Sequence, residues 1–201
     1  MGSLKSMVPH RQTHAAAPTR REHGRRARDS APLDSDWLAE QARSYAARWE
    51  ASEAGVATLL ERKIQQRCLR TGESPEAALE LIPAVIARLV ELNYVNDIRF
   101  GQNLLERERR RGSSSRKIRA KLLTRGISTS TLDEILSGEE SDAEIRAAWR
   151  LAERRRLGPH ARDLDERDSA RQRQLAIFDR AGFDLSCAMQ ILDAESIPER
   201  D

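Results

Sequence analysis

The segment Asn93–Gly126 reads NYVNDIRFGQNLLERERRRGSSSRKIRAKLLTRG, and it contains two consecutive helix signals. Asn96 or Asp97 is suited to cap the first helix, because a short side-chain oxygen accepts hydrogen bonds from the free N–H groups of a first turn. Gly112 ends this helix, and the serines after it are suited to cap a second helix that stops at Gly126. The segment therefore predicts a helix, a tight break and another helix.

The second half of this segment is densely basic. Between Arg107 and Gly126 nine residues are basic and only Glu108 is acidic. Cations near a helix C-terminus also interact favourably with the helix dipole, so a structural use of these charges is the alternative. We take the whole set as candidate binding residues, because a dense positive field on two successive helices is typical of a surface that meets a polyanion. The set comprises Arg107, Arg109, Arg110, Arg111, Arg116, Lys117, Arg119, Lys121 and Arg125.

The overall composition favours a helical protein. Hydrophobic residues make up 39% of the chain, aromatic residues 4% and charged residues 33%, a mixture that suits thin helical layers with large solvated faces. Strand signals are scarce, because β-branched residues do not alternate over any long run. The formal net charge is only +3, yet residues 127–145 carry six acids and no base. We therefore expect an all-α protein with separate basic and acidic surfaces.

The first part of the chain reads differently from the rest. Residues 1–36 offer little to bury and are rich in Arg, Ala, Pro and Ser, so we expect a disordered basic tail. An amphipathic N-terminal helix is predicted over residues 37–51, with Trp37 and Trp49 in the core. No apolar run approaches the roughly 18 residues of a membrane span, and the N-terminus lacks the apolar core of a signal peptide. We expect a cytoplasmic protein.

Cysteine and proline positions add two local expectations. Cys68 and Cys187 show no metal-binding spacing, so we expect two separate core thiols and neither a disulfide nor a metal site. Pro83 lies too deep in its apolar segment for one straight helix, so we expect a kink or a restart there.

Self-comparison reveals an internal repeat. Residues 98–107 match residues 145–154, and residues 122–136 match residues 178–192, in each case without a gap. The repeated unit is a capped helix, a turn at Gly, a second helix and a third helix that ends in basic residues. Units of this kind stack on their neighbours. We therefore expect tandem three-helix repeats in an elongated, curved array of right-handed type.

The start of the first repeat aligns with the second in two ways. Residues 62–64 echo residues 116–118, or alternatively Ser52 echoes Ser114. We prefer the second alignment, because equivalent helices should begin at equivalent caps. It implies an insertion around residues 62–80.

The repeat gives a predicted division of the chain. The third copy stops after two helices, and Gln174 stands where the second copy has Ile118. The predicted parts are the tail 1–36, the N-terminal helix 37–51, repeat 1 over 52–112, repeat 2 over 113–158, a linker 159–167, a partial repeat 3 over 168–195 and a tail 196–201.

Several of these motifs resemble the RecX family of recombination regulators, over about residues 40–195. The family usually has two acids at the turn before its Arg-Phe pair, and here Asn96 takes the place of the first. An amide still caps a helix, so this departure puts little in doubt. The resemblance rests on LNYVNDIRF at 92–100, RRG at 110–112, RKIRAKL at 116–122, RGI at 125–127 and RAGF at 180–183.

The resemblance implies a function as well as a fold. Members of the family bind the RecA recombinase and lie along the groove of its filament on DNA. There they inhibit strand exchange, ATP hydrolysis and the coprotease role. For this chain the resemblance implies a monomer that binds the recombinase filament and DNA, single-stranded and without sequence preference.

The residues themselves point to binding rather than to catalysis. The chain contains no recognisable nucleophile–base pair, phosphate-binding Gly loop or metal-ligand helix, so we expect a non-enzyme without cofactor or metal. No aromatic residue lies within the basic run, so base-specific readout is not expected. The alternative to a filament regulator is a helical module that acts by occupying single- or double-stranded DNA.

Overall fold

A computed structural model describes residues 31–161 and 170–198. Every regular element in these two ranges is a helix, which confirms the prediction of an all-α fold. Residues 1–30 of the predicted tail and most of the predicted linker lie outside the described residues, and the last two residues of the predicted tail, Ser35 and Asp36, already belong to the first helix. The helices are α1 Ser35–Ala46, α2 Glu53–Thr71, α3 Glu76–Glu80, α4 Ile82–Glu91, α5 Asp97–Arg110, α6 Ser115–Leu123, α7 Thr129–Ser137, α8 Ala143–Arg155, α9 Arg171–Ala181 and α10 Leu185–Leu192, with a 3-10 turn at Gly158–His160.

The helices pack around three hydrophobic clusters that follow one another along the chain. The first joins α1, α2 and α4 around residues such as Leu60. The second joins α5, α6 and α7 around Ile118. The third joins α8, α9 and α10, where the rings of Phe178 and Phe183 meet edge to face at 5.9 Å. Each cluster thus combines helices that are near neighbours in sequence, as expected for a helical repeat.

The predicted start of α5 and the predicted restart at Pro83 are both found. The side chain of Asn96 accepts a hydrogen bond from the backbone N–H of Arg99 at 2.9 Å and caps α5. The expected restart at Pro83 occurs, because α3 ends at Glu80 and Pro83 lies in the first turn of α4. A proline is tolerated there because the first-turn N–H groups have no partner within the helix.

The N-terminal helix departs from the prediction. It ends at Ala46, so Trp49 lies beyond it and is 64% exposed. The prediction that Trp49 lies in the core is therefore wrong, although Trp37 packs against the first cluster as expected. The apolar spacing continued past the helix end, and spacing alone does not show where a helix stops. Leu123, the last residue of α6, is 45% exposed although it is apolar.

The junction between the first and second clusters is built on Ser52. Its hydroxyl accepts the N–H of Gly55 at 3.1 Å, which caps α2, and donates to the carbonyl of Arg125 at 2.7 Å. Gly126 follows with φ of 78°, and a Cβ there would collide with Ala54. One serine thus both starts a helix and fixes it to the next cluster.

The next junction repeats this arrangement on Ser114. Its hydroxyl accepts the N–H of Lys117 at 3.2 Å and donates to the carbonyl of Ala181 at 2.9 Å. Gly182 follows with φ of 92°, and a Cβ there would collide with the Ser114 hydroxyl. Because Ser52 and Ser114 make the same two contacts, the structure supports the alignment that pairs them. The boundaries of the three-helix units stay a prediction.

A second contact also recurs at both junctions. The carboxylate of Asp97 accepts the N–H of Glu53 at 2.8 Å, and the carboxylate of Glu144 accepts the N–H of Ser115 at 2.8 Å. Each acid lies in the first turn of a later helix and satisfies the first free N–H of an earlier one. Burial raises the pKa of Asp97, against the effect of its hydrogen bond from Glu53.

The buried position of Gln174 is explained by the turn beside it. This side chain is 6% exposed, and its carbonyl oxygen accepts the N–H of Gly158 at 2.8 Å. The amide therefore satisfies a buried backbone donor where the second repeat has the apolar Ile118.

Both cysteines are buried and free, as predicted. Burial raises the pKa of Cys187 to about 11 from 9.0, and the charges of Asp184 and Glu144 add to the rise. Since the thiolate is the reactive form, we expect Cys187 in a Cys68→Ala variant to react with Ellman's reagent about 100-fold more slowly than a thiol of ordinary pKa. Denaturant should restore fast reaction, whereas fast reaction of the native protein would contradict this environment.

Candidate basic interface

Arg109 lies at the centre of the predicted basic set, but it does not belong to an exposed surface. Its side chain is only 9% exposed and forms ion pairs with Glu139 at 2.6 Å and Glu144 at 2.7 Å. It also donates to the carbonyl of Ser113 at 3.0 Å. Burial lowers the pKa of Arg109, but the two carboxylates outweigh this effect and raise it. Arg109 therefore holds α5 against the turn before α8 and the start of α6.

Glu108, the one acid within the basic run, is buried beneath the cations. It accepts hydrogen bonds from Lys121 at 2.8 Å, Arg111 at 3.1 Å and Ser113 at 3.1 Å. Burial raises its pKa, but the hydrogen bonds and charges of these partners together lower it below the ordinary value. Glu108 is therefore ionised at neutral pH and fixes one cation of α5 beside one cation of α6.

Two cations meet at this carboxylate, and two more lie one helical turn before them. We call these four residues the α5–α6 basic cluster: Arg107, Arg111, Lys117 and Lys121. Arg111 and Lys121 share Glu108. Arg107 lies one turn before Arg111, and Lys117 lies one turn before Lys121, so each pair shares a helix face. Within the described ranges neither Arg107 nor Lys117 forms an ion pair, and both are exposed. Four cations against one buried carboxylate leave the cluster strongly positive.

The remaining four predicted residues lie apart from this cluster or are already paired. Arg116 contacts Asp179 of α9 at 3.3 Å, and Arg119 contacts Asp133 of α7 at 2.8 Å. Arg110 has only a long contact of 3.9 Å to Glu106. Arg125 is exposed at the first junction. The predicted continuous basic face is thus divided among several surfaces.

The fold also places aromatic rings beside Arg125, which the sequence did not show. A cleft of about 570 Å³ at the first junction is lined by Arg125 and Arg62 together with Tyr45 and Phe100. Tyr45 and Arg62 come from α1 and α2, far from the basic run in sequence. No local motif could have signalled this grouping, because it arises only when α2 docks on the turn at Gly126.

Two further searches of residues 31–161 and 170–198 bear on function. They contain no group of three or more metal-ligating side chains placed to hold an ion. None of their helices combines the length and apolar character needed to cross a bilayer.

Comparison with known proteins finds several relatives that share one name, regulatory protein RecX. No protein-family model matches the chain. A regulatory protein RecX of Myxococcus xanthus is 27% identical over 161 residues, which span 79% of this chain and 85% of the relative. A regulatory protein RecX of Trichlorobacter lovleyi is 26% identical over 136 residues, 67% and 82% of the two chains. One of Mycobacterium avium is 29% identical over 121 residues, 59% and 68% of the two chains. Together with the motifs and the helical repeat, these matches show that the chain is similar to regulatory RecX proteins over most of its length, which supports the RecX family.

Proposed function

We propose that this protein binds a RecA-type recombinase filament on DNA and inhibits its strand exchange, ATP hydrolysis and coprotease activity. It acts without catalysis of its own, as a cytoplasmic monomer. Similarity to proteins named regulatory protein RecX supports the regulatory role. The single structural observation that carries the contact with the filament is the α5–α6 basic cluster, where Arg107 and Lys117 have no ion pair within the described residues.

The physical basis of the contact is the release of counterions. A cation that is already paired within the protein loses one partner when it gains another, whereas an exposed cation without a pair gains a phosphate or carboxylate at little cost. Arg107 and Lys117 are of this second kind. Arg111 and Lys121 are anchored by Glu108 and present the rest of their donors in a fixed position.

The test is ATP hydrolysis by preformed recombinase filaments on single-stranded DNA, with this protein titrated in. We expect inhibition at well below one molecule per recombinase subunit. The double variant Arg107→Ala/Lys117→Ala should need about tenfold more protein for half inhibition. If phosphates are the partners, its log–log salt slope should fall by about 1.4, or roughly 0.7 for each lost contact on a single strand.

The choice of variant and control follows from the geometry. Arg107 and Lys117 are exposed, so alanine at these positions should leave the fold intact. Arg109 is left unchanged, because its removal would destabilise the protein and obscure any effect on binding. Arg173→Ala/Arg180→Ala removes the same charge from exposed positions of α9 and should inhibit like the wild type. Equal weakening by both double variants would contradict the cluster as the site and would leave only a general charge effect.

A second function has its own supporting observation. The cleft combines Arg62 and Arg125 with Tyr45 and Phe100, and Glu50, which pairs with Arg99, also lines it. Two arginines and two rings offer phosphate contacts and stacking surfaces, the combination used to bind single strands without sequence preference. A protein that acts by occupying DNA would inhibit only when the DNA itself is saturated. The same titration therefore separates the two functions, since filament regulation requires inhibition far below that point.

A further inference from the structure

The outer side of the first cluster contains an apolar groove that is open among residues 31–161 and 170–198. It has a volume of about 780 Å³ and lies between α2 and the α3–α4 pair. Its floor is apolar, its edge along α2 carries two carboxylates, and none of the described residues that line it is basic. The lining residues include Ala57, Leu79, Ile82, Pro83, Ile86 and Ala87, with Glu53 and Glu61 at the edge.

The apolar floor belongs to a second face of α4. Ile82, Val85 and Leu89 point into the first hydrophobic cluster. Pro83 and Ala87 are exposed on another side of the same helix, where Val90 is also 38% exposed. A helix that is apolar on two sides has more apolar surface than its own core uses.

The second repeat provides an internal comparison. Its helix α7 buries Leu132 and Ile135, and it presents Asp133, Glu134 and Ser137 to solvent. The same architecture is therefore built with a polar outer face one repeat later. The exposed apolar face of α4 is not needed for folding of the repeat, and contiguous exposed apolar surface commonly marks an interaction site.

The length and the charge of the groove fit one kind of occupant, an amphipathic helix with basic residues. Glu53, Ala57 and Glu61 lie at successive turns of α2, and the lining extends to Gln65. Twelve residues of helix span about 18 Å, or just over three turns. Helix-in-groove binding uses apolar anchors at i, i+3 or i+4, and i+7, which fit this length. The two carboxylates share the groove with no basic residue among its described lining, and they are complementary to lysine or arginine on the incoming helix.

We propose that the groove between α2 and α4 binds an amphipathic helix of a protein partner, with an apolar stripe and flanking basic residues. The occupant contacts the floor at Ile82, Pro83 and Ile86 and meets Glu53 and Glu61 with its basic side chains. This surface is distinct from the α5–α6 basic cluster and has the opposite charge. It gives the protein one site for a polyanion and another for a basic helix.

The test uses the full chain and a fluorescein-labelled helical peptide of roughly 18 residues, with leucine at the anchor spacing and lysine elsewhere. Fluorescence anisotropy reports binding. The wild type should bind this peptide at least about tenfold more tightly than a scrambled peptide of equal composition, because scrambling removes the stripe and keeps the charge. A glutamate-for-lysine version should also bind at least about tenfold more weakly.

Matched variants locate the binding site. Glu61→Lys should weaken binding about fivefold or more, because it replaces an attraction with a repulsion, and Ile86→Gln should weaken it by removing apolar contact. Glu134→Lys makes the same charge reversal on exposed α7 and should change affinity less than about twofold. Equal weakening by Glu61→Lys and Glu134→Lys would overturn the groove and indicate general attraction of a cationic peptide to acidic surface.

Two other occupants give distinct results and would also overturn the proposal. Sedimentation of a dimer that Glu61→Lys dissociates would identify a second copy of the chain as the occupant. Stronger peptide binding after Arg20, Arg21, Arg25 and Arg26 are changed to serine in the full chain would identify the chain's own N-terminal segment. These measurements need no recombinase, so their outcome does not depend on whether the proposed function is correct.

Discussion

Replacing Arg109 with alanine should lower the free energy of unfolding by about 3 kcal/mol or more, because it leaves two carboxylates without their cation. Glu139 and Glu144 are 15% and 33% exposed in their side chains, so water compensates them only in part. The Ser113 carbonyl loses its donor as well. Urea denaturation followed by circular dichroism measures the change.

Controls separate this effect from a loss of surface charge. Arg110→Ala removes a neighbouring arginine that is 72% exposed and has only a long contact of 3.9 Å to Glu106. It should change the free energy of unfolding by less than about 0.5 kcal/mol. The triple variant Arg109→Ala/Glu139→Gln/Glu144→Gln should recover part of the loss, because the uncompensated charges are gone. A loss below about 1 kcal/mol for Arg109→Ala would mean that solvent screens the site as it does a surface ion pair.

This expectation changes how the basic run is to be tested. A variant that removes Arg109 together with its exposed neighbours would lose inhibition through unfolding, whether or not the neighbours touch the filament. Arg107 and Lys117 offer a cleaner test, since no ion pair among the described residues depends on them. An inhibition experiment on this basic run is therefore informative only if its variants separate the stabilising Arg109 from the arginines proposed to bind.

Local features of the fold could be predicted from the sequence because their physical causes are local. Asn96 caps α5 with a side chain three residues from its donor, and Pro83 forces a restart within its own segment. The repeat was visible because residues 98–107 match residues 145–154 without a gap. The preferred pairing of Ser52 with Ser114 agrees with two junctions of the same geometry.

Features that depend on distant residues could not be predicted in the same way. The ion pairs of Arg109 join it to acids 30 and 35 residues later in the chain, and nothing in the run RERRR distinguishes it from its exposed neighbours. Helix periodicity gave the one available signal: Leu104, Leu105, Glu108 and Arg109 occupy one face of α5, and that face is buried. Charge density alone could not rank the nine cations.

Replacing Gly112 with alanine should destabilise the protein by about 2–5 kcal/mol, from two additive causes. Its φ is 68°, a conformation that costs an L-residue about 1–2 kcal/mol. A Cβ there would also lie 2.7 Å from the backbone nitrogen of Leu151 and 2.9 Å from the carbonyl oxygen of Ala147. Overpacking against a buried element costs about 1–3 kcal/mol, and these atoms belong to the backbone of α8, which cannot rotate away as a side chain can.

Gly72 supplies the matched control, because its φ is 77° and a Cβ there would meet nothing within 4 Å. Gly72→Ala should therefore show only the conformational cost of about 1–2 kcal/mol. The difference between the two variants isolates the close approach of the α5–α6 turn to α8, which is one of the contacts that join the second cluster to the third. Equal destabilisation of the two variants by urea would contradict that close approach, whereas a larger loss at Gly112 would show that this joint depends on a position without a side chain.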